Sequence, residues 1–147
     1  MMQETLERNK RLMITLDDSW NSQDWETYRE RHAENTAVYW PGQPEPTRGR
    51  EAHAAESKEF FKTFPDNHIA NDPYKILIAE GDTTCSVAEF TGTMKGPMKS
   101  SDGSVIQPTN RSFKLEFCTV ATWKNGEIVE ERLFYDQVEM MKQLGIQ

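Results

Sequence analysis

The chain is poor in the residues that staple a fold, ligate metals or grip nucleic acid. It has two cysteines, Cys85 and Cys118, and three histidines among 147 residues. Two thiols make no disulfide framework, and both fall in apolar-rich strand patterns, where a small buried thiol is the expectation. No Cys-x-x-Cys or His-x-x-x-His spacing occurs, so no metal site is expected. Seventeen basic residues stand against twenty-four acidic ones, a net charge of −7. Such a surface repels phosphate backbones, and no Lys/Arg cluster offsets it, which argues against a nucleic-acid partner. No apolar stretch approaches a membrane span, so no membrane partner is expected. Residues Met1–Lys10 alternate in charge without an apolar run, so no signal peptide is expected and a cytoplasmic location follows.

Aromatic residues, by contrast, are plentiful. Apolar residues make up only 36%, yet seven Phe, four Tyr and four Trp are present. Their large buried area argues for an ordered core, and the length fits one domain over residues 1–147. Leu6, Met13, Leu16 and Trp20 recur at helical spacing, with Arg8, Lys10, Arg11 and Asp17 elsewhere on the wheel, which predicts a helix over roughly 3–20. A second helix, capped by Asn21 or Ser22, carries Trp25 and Tyr28 and frays near His32. Ala37–Trp40 reads as a strand, and the Pro- and Gly-rich 41–49 as a loop. Glu51–Phe64 is helical again, with Ala55, Phe60, Phe61 and Phe64 as its apolar side. Strands then follow at Asn67–Ala79, bent near Pro73, and at Thr84–Thr93. A long loop, Lys95–Asn110, is of the kind that is functional or mobile. Asn125-Gly126 joins strands Ser112–Trp123 and Glu127–Asp136 into a hairpin. A helix from Gln137 to Leu144 ends on Gly145. Helices first, then antiparallel strands, then a short helix make an α+β layout with helices on one face of the sheet.

The hairpin sets a register. The turn pairs Trp123 with Ile128. Without a bulge, Ala121 then meets Glu130, Thr119 meets Arg132, Phe117 meets Phe134 and Leu115 meets Asp136. Alternation puts Glu130, Arg132, Phe134 and Asp136 on the apolar face that looks toward the helices. A carboxylate there is costly unless paired or functional. Its proton affinity rises, which suits proton transfer near neutrality. Asp136, at the strand end, is the best candidate, either as a pocket residue or as a plain cap of the last helix. Arg132, Phe134, Phe117 and Trp123 are expected to line the same cavity, joined from the helical side by Trp20, Tyr39 or Trp40. Glu130 and Arg132 either pair with each other or touch substrate. His32 and His68 are within reach of a pocket, while His53, among Glu51, Glu56 and Lys58, reads as surface. The other sheet face carries Cys118, Val120, Val129, Leu133 and Tyr135. That is more apolar surface than a solvated face needs, and it predicts a homodimer through the sheet.

Several stretches carry a likeness. Gly49-Arg50-Glu51-Ala52-His53, Phe64-Pro65-Asp66, Thr91-Gly92-Thr93 with Gly96, and Pro108-Thr109 precede Lys124–Glu130, and Asp136 runs into Gln143-Leu144-Gly145. Together they resemble the SnoaL-like polyketide cyclases, also called ester cyclases, of the nuclear-transport-factor-2-like superfamily. The likeness spans nearly the whole chain. It implies a cystatin-like α+β cone, with N-terminal helices packed in a curved antiparallel sheet, a homodimer through the sheet, and a pocket that uses no cofactor. It also implies that Asp136 acts as general acid and base in an aldol-type ring closure. The chain departs from the family in two places: many members have a His where Met94 stands, and often an aromatic residue at the position of Arg132. Three functions stay open on these grounds. They are a cofactor-independent lyase or isomerase of a small carbonyl-containing substrate, a small-molecule binding module without turnover, and a hydrolase in which carboxylates activate water.

Overall fold

The computed structural model describes residues 2–146. Helix α1 (Met2–Ser22) buries Asn9, Met13, Leu16, Asp17 and Trp20, spaced three and four apart on one stripe. Asp17 belongs to that stripe rather than to the solvent face, because it lies four residues after Met13 and three before Trp20. Helix α2 (Trp25–Glu30) starts on Asp24, not on Asn21 or Ser22, and the Asp24 carboxylate accepts from the Thr27 backbone. Strand β1 (His32–Tyr39) is longer than expected and begins at the buried His32. After the short β2 (Thr47–Arg48) comes α3 (Arg50–Thr63). The buried stripe of α3 runs through His53, Ser57 and Phe61, four residues apart, so His53 is core and Ala55 is exposed.

Next come β3 (His68–Ile69), β4 (Ile76–Glu80) and β5 (Thr83–Thr93). The predicted bend near Pro73 is a full break between β3 and β4, with a cis Asp72–Pro73 peptide. The long loop contains a small hairpin, β6 (Met98–Lys99) with β7 (Val105–Ile106). It is seated where Gly96 passes α3: a Cβ on Gly96 would collide with the Lys62 carbonyl. The long β8 (Ser112–Lys124) and β9 (Glu127–Phe134) follow, and α4 (Gln137–Leu144) ends on Gly145 in the left-handed conformation.

Apart from β6 and β7, the strands form one curved sheet in the order β2-β1-β9-β8-β5-β3, with β4 also paired to β5. It is antiparallel except where β1 runs parallel to β9. That pairing joins the first strand to the last, beyond the reach of any local turn signal. Helices α1 and α3 supply Met13, Leu16 and Phe61, and the α3 C-cap supplies Phe64, to a core that β5 and β8 complete with Phe90, Phe113 and Phe117.

The hairpin starts as expected, with Lys124 opposite Glu127 and Trp123 opposite Ile128. One step further the register slips, and Thr122 pairs with Glu130, leaving Val129 as the extra residue of a bulge. The slip turns over every side chain beyond it. Glu131 and Leu133 point inward and are 4% and 6% exposed, while Arg132, Phe134 and Asp136 are exposed. The physical reason is the desolvation cost of the regular register, which would bury Arg132, Glu130 and Asp136 among Phe rings. The bulge buries Leu133 and a single carboxylate instead.

Candidate active site

Five of the residues assigned to the cavity from the sequence lie outside it. Tyr39, beside Arg132 in the sheet, shares its outer face. Asp136 is the exposed N-cap of α4, and its Oδ1 accepts from the Glu139 backbone at 2.9 Å. Arg132 binds Glu130 at 2.6 Å on the outer face and sits 4.1 Å over the Tyr39 ring. Phe134 is 52% exposed. Trp123 is buried, but in the closed end of the core, where its Nε1 donates to Thr84. His68 is exposed. By contrast, Trp20, Trp40 and Phe117 do meet, around a small inner chamber of about 20 Å³, room for one water. His32 stands behind its wall, bonded to Glu131.

Four polar residues that sequence reasoning left out of the site also line this chamber: Asp17, Tyr28, Thr119 and Glu131. The Tyr74 hydroxyl donates to Asp17 Oδ2 at 2.6 Å and lies 3.1 Å from the Met13 carbonyl as a second acceptor. Burial pushes the Asp17 carboxyl up to about 7; the Tyr74 hydrogen bond opposes the rise, and the charges of Glu131 and Asp18 add to it. Glu131 moves the other way. Burial alone would raise it, but its hydrogen bond to His32 and the charge of His32 hold it below the usual carboxylate range.

The histidines are held from behind. His32 Nδ1 faces the Tyr28 carbonyl at 2.8 Å, and its Nε2 faces Glu131 Oε1 at 2.9 Å. His53 Nδ1 faces Glu56 Oε1 at 2.9 Å, while its Nε2 lies 2.6 Å from the Tyr28 hydroxyl and 3.6 Å from Glu131. Burial pushes the His53 imidazole down, against the pull of Glu56. The donor atoms of His32, His53 and Glu131 lie within 4.8 Å of one another, a spacing that a small cation could bridge. Each of them is already met by a protein partner. Among the described residues, no Lys or Arg forms an ion pair with Asp17, Glu56 or Glu131.

Beyond Trp40 the cone opens into a vestibule of about 780 Å³. Its walls are Trp40, Phe60 and Tyr135 on one side and Met98 and Lys99 of the β6–β7 hairpin on the other, so the predicted loop forms the rim. Glu56 lines it, with its side chain 23% exposed. Glu56 Oε1 also accepts from Trp40 Nε1 at 2.6 Å, and its Oε2 accepts from Thr47 at 2.7 Å. The signal for His53 and Asp17 was helical phase. For Glu131 there was none, because only the bulge turns it inward.

A volume of this size suits a small organic ligand. Among the described residues no helix is long and apolar enough to cross a membrane. A search of curated proteins finds no match. Among solved structures, a protein from Jannaschia sp. CCS1, described as a SnoaL-like polyketide cyclase, superposes with a TM-score of 0.84 at 21% identity, over 97% of this chain and 94% of that one. IdmH from Streptomyces antibioticus, described as a polyketide cyclase, gives a TM-score of 0.75 at 26% identity, over 94% and 99%. A Catenulispora acidiphila protein of ketosteroid isomerase-like fold, solved with trimethylamine, gives 0.75 at 14% identity, over 92% and 93%. The family model for the SnoaL-like polyketide cyclases matches residues 10–144, so the chain belongs to the SnoaL-like polyketide cyclase family.

Proposed function

We propose that this protein is a cofactor-independent enzyme of the cyclase or isomerase type. It binds a small carbonyl compound in the vestibule and moves protons with the carboxylates of the inner chamber. The observation that carries this reading is the pair Asp17 and Glu131. Both line the chamber, and their surroundings drive their proton affinities apart, Asp17 up to about 7 and Glu131 down. Two carboxyls so divided supply an acid and a base at one pH. Asp17, half protonated near neutrality, is the better proton-transfer group, and Glu131, kept ionised by His32, is its complement. Asp136 serves as a helix cap in this reading, since its carboxylate is spent on the Glu139 backbone and faces solvent.

Enolisation tests the reading without the natural substrate. A flat aromatic ketone such as 1-tetralone is incubated in deuterated water, and the loss of its α-proton signal is followed by NMR. The protein should accelerate exchange. Asp17→Asn should cut the acceleration roughly hundredfold, the lower range for acid–base catalysis, and Asp136→Asn should leave it intact. Exchange lost with Asp136→Asn and kept with Asp17→Asn would reverse the assignment. No acceleration across a panel of aromatic and aliphatic ketones, with those ketones raising the melting temperature, would identify a binding module instead.

A further inference from the structure

Between the closed chamber and the open vestibule stands one imidazole. We propose that His53 passes a proton between Glu131 and Glu56, making Glu56 the point at which the buried acid–base groups exchange protons with the vestibule; this rests on the acid–base function proposed above.

The hydrogen-bond pattern fixes where the protons are. His32 Nδ1 faces a backbone carbonyl, which only accepts, so that nitrogen carries a proton. Its other nitrogen faces a carboxylate oxygen at 2.9 Å, so a second proton lies between His32 and Glu131. That proton is the cargo. His53 is set differently. Its Nδ1 faces Glu56 Oε1, which is occupied as an acceptor by Trp40 as well, so His53 Nδ1 is the donor. Its Nε2 is then a bare lone pair, 3.6 Å from Glu131 Oε1. The Tyr28 hydroxyl, 2.6 Å away, fills that lone pair at rest. Tyr28 has a second acceptor in Ser57 Oγ at 3.0 Å, whose own proton goes to the His53 carbonyl. When Tyr28 turns to Ser57, Nε2 is free to receive.

The charged and titratable groups facing the His53 ring are Glu56 on its own helix, Tyr28 on α2, His32 on β1 and Glu131 on β9. None is a lysine or arginine that would block protonation of the ring. In the relay step, the proton shared by His32 and Glu131 forms a bond to His53 Nε2. The His53 Nδ1–H bond breaks and its proton bonds to Glu56 Oε1. One proton enters the ring and one leaves. His32 ends neutral, Glu131 stays ionised and Glu56 becomes neutral. Enolisation or ring closure takes a proton and returns one, so the reverse step restores the ring without a flip. Burial that keeps His53 neutral at rest supports this use, because an already charged ring could not accept.

The test needs no substrate. In nitrogen-15 NMR of the labelled protein near neutral pH, His53 should be the Nδ1–H tautomer and His32 doubly protonated. The His32 Nε2 proton should resonate far downfield. Glu56→Gln still accepts from His53 and from Trp40 but takes up no proton. It should slow solvent exchange of the His32 proton about tenfold or more, with the amide spectrum unchanged. Glu56→Asp, which pulls the carboxylate back by one methylene, should slow it too. Exchange at the unaltered rate in both variants overturns the relay. So does an Nε2–H tautomer of His53, or a His32 ring without that proton, as a cation held at Glu131 would leave it. Failure of this readout leaves ketone exchange by Asp17 standing on its own test. Ketone exchange that survives both Asp17→Asn and Asp136→Asn sinks the acid–base reading itself.

Discussion

Asp17 has a stability consequence that the other acidic residues do not share. Its carboxyl is buried, and its proton affinity is raised from 3.8 to about 7. A carboxyl raised in the folded state helps folding below its unfolded value and loses that contribution as pH climbs through its folded value. The protein should therefore lose stability between about pH 4 and pH 7 on account of this one group, by an amount on the order of a few kcal/mol. Asp17→Asn, which keeps an acceptor for Tyr74, should melt higher than the parent at pH 8 and much the same at pH 4. Thermal melts at the two pH values decide it. A variant that melts lower at pH 8 would mean that Asp17 is ionised and paired at no cost. A site residue that costs stability is what a functional carboxyl predicts.

The decisive element is β9, and within it the bulge at Val129. In residues 127–136 apolar and charged residues come in blocks, Ile128-Val129, then Glu130-Glu131-Arg132, then Leu133-Phe134-Tyr135, so the sequence does not say which set faces inward. The turn at Asn125-Gly126 was legible because φ is positive at both residues, which this dipeptide tolerates. The bulge is a tertiary choice between two buried sets, one with three charged groups and one with Leu133 and Glu131. Deleting Val129 takes out the extra residue and leaves Thr122 opposite Glu130 and Ala121 opposite Glu131 in a regular ladder, so Glu131 and Leu133 stay inward and Arg132 and Phe134 stay outward. The deletion variant should therefore keep a cooperative thermal transition by circular dichroism. Loss of that transition would show that the bulge itself, and not only the register it sets, holds the fold.

At the scale of the whole molecule, the outer sheet face has two transverse rows. Ile76, Val87, Cys118 and Phe134 make one, and Ile78, Cys85, Val120 and Arg132 the other. Ile76, Ile78 and Phe134 are about half exposed. The slip that took Leu133 inward brought Phe134 out, so this face stays apolar: it keeps Cys118 and Val120, gains Phe134 in place of Leu133, and loses Tyr135 to the inner side against Phe117. We expect it to be covered by a second copy. Light scattering should give about 34 kDa, twice the 17.0 kDa chain, and the double variant Ile78→Glu, Phe134→Glu should give the mass of one chain. A parent that runs as a monomer at micromolar concentration removes the idea.

Local chemistry determined much of this protein. The amphipathic α1, the aromatic stripe of β8, the Asn125-Gly126 turn, the Gly145 cap and the acidic balance follow from spacing and residue type. They carried the layout of helices against a sheet, and Trp20, Trp40 and Phe117 as pocket wall. What decided the site was not local. Asp17, His53 and Glu131 come from a first helix, a third helix and a last strand, and they meet only because β1 lies beside β9 and the bulge turns Glu131 inward. Asp136 is conspicuous in the sequence because it ends a strand and opens a helix, and that same position gives its carboxylate a backbone partner in solvent. A carboxyl's surroundings set its proton affinity, and those surroundings exist only in the folded chain.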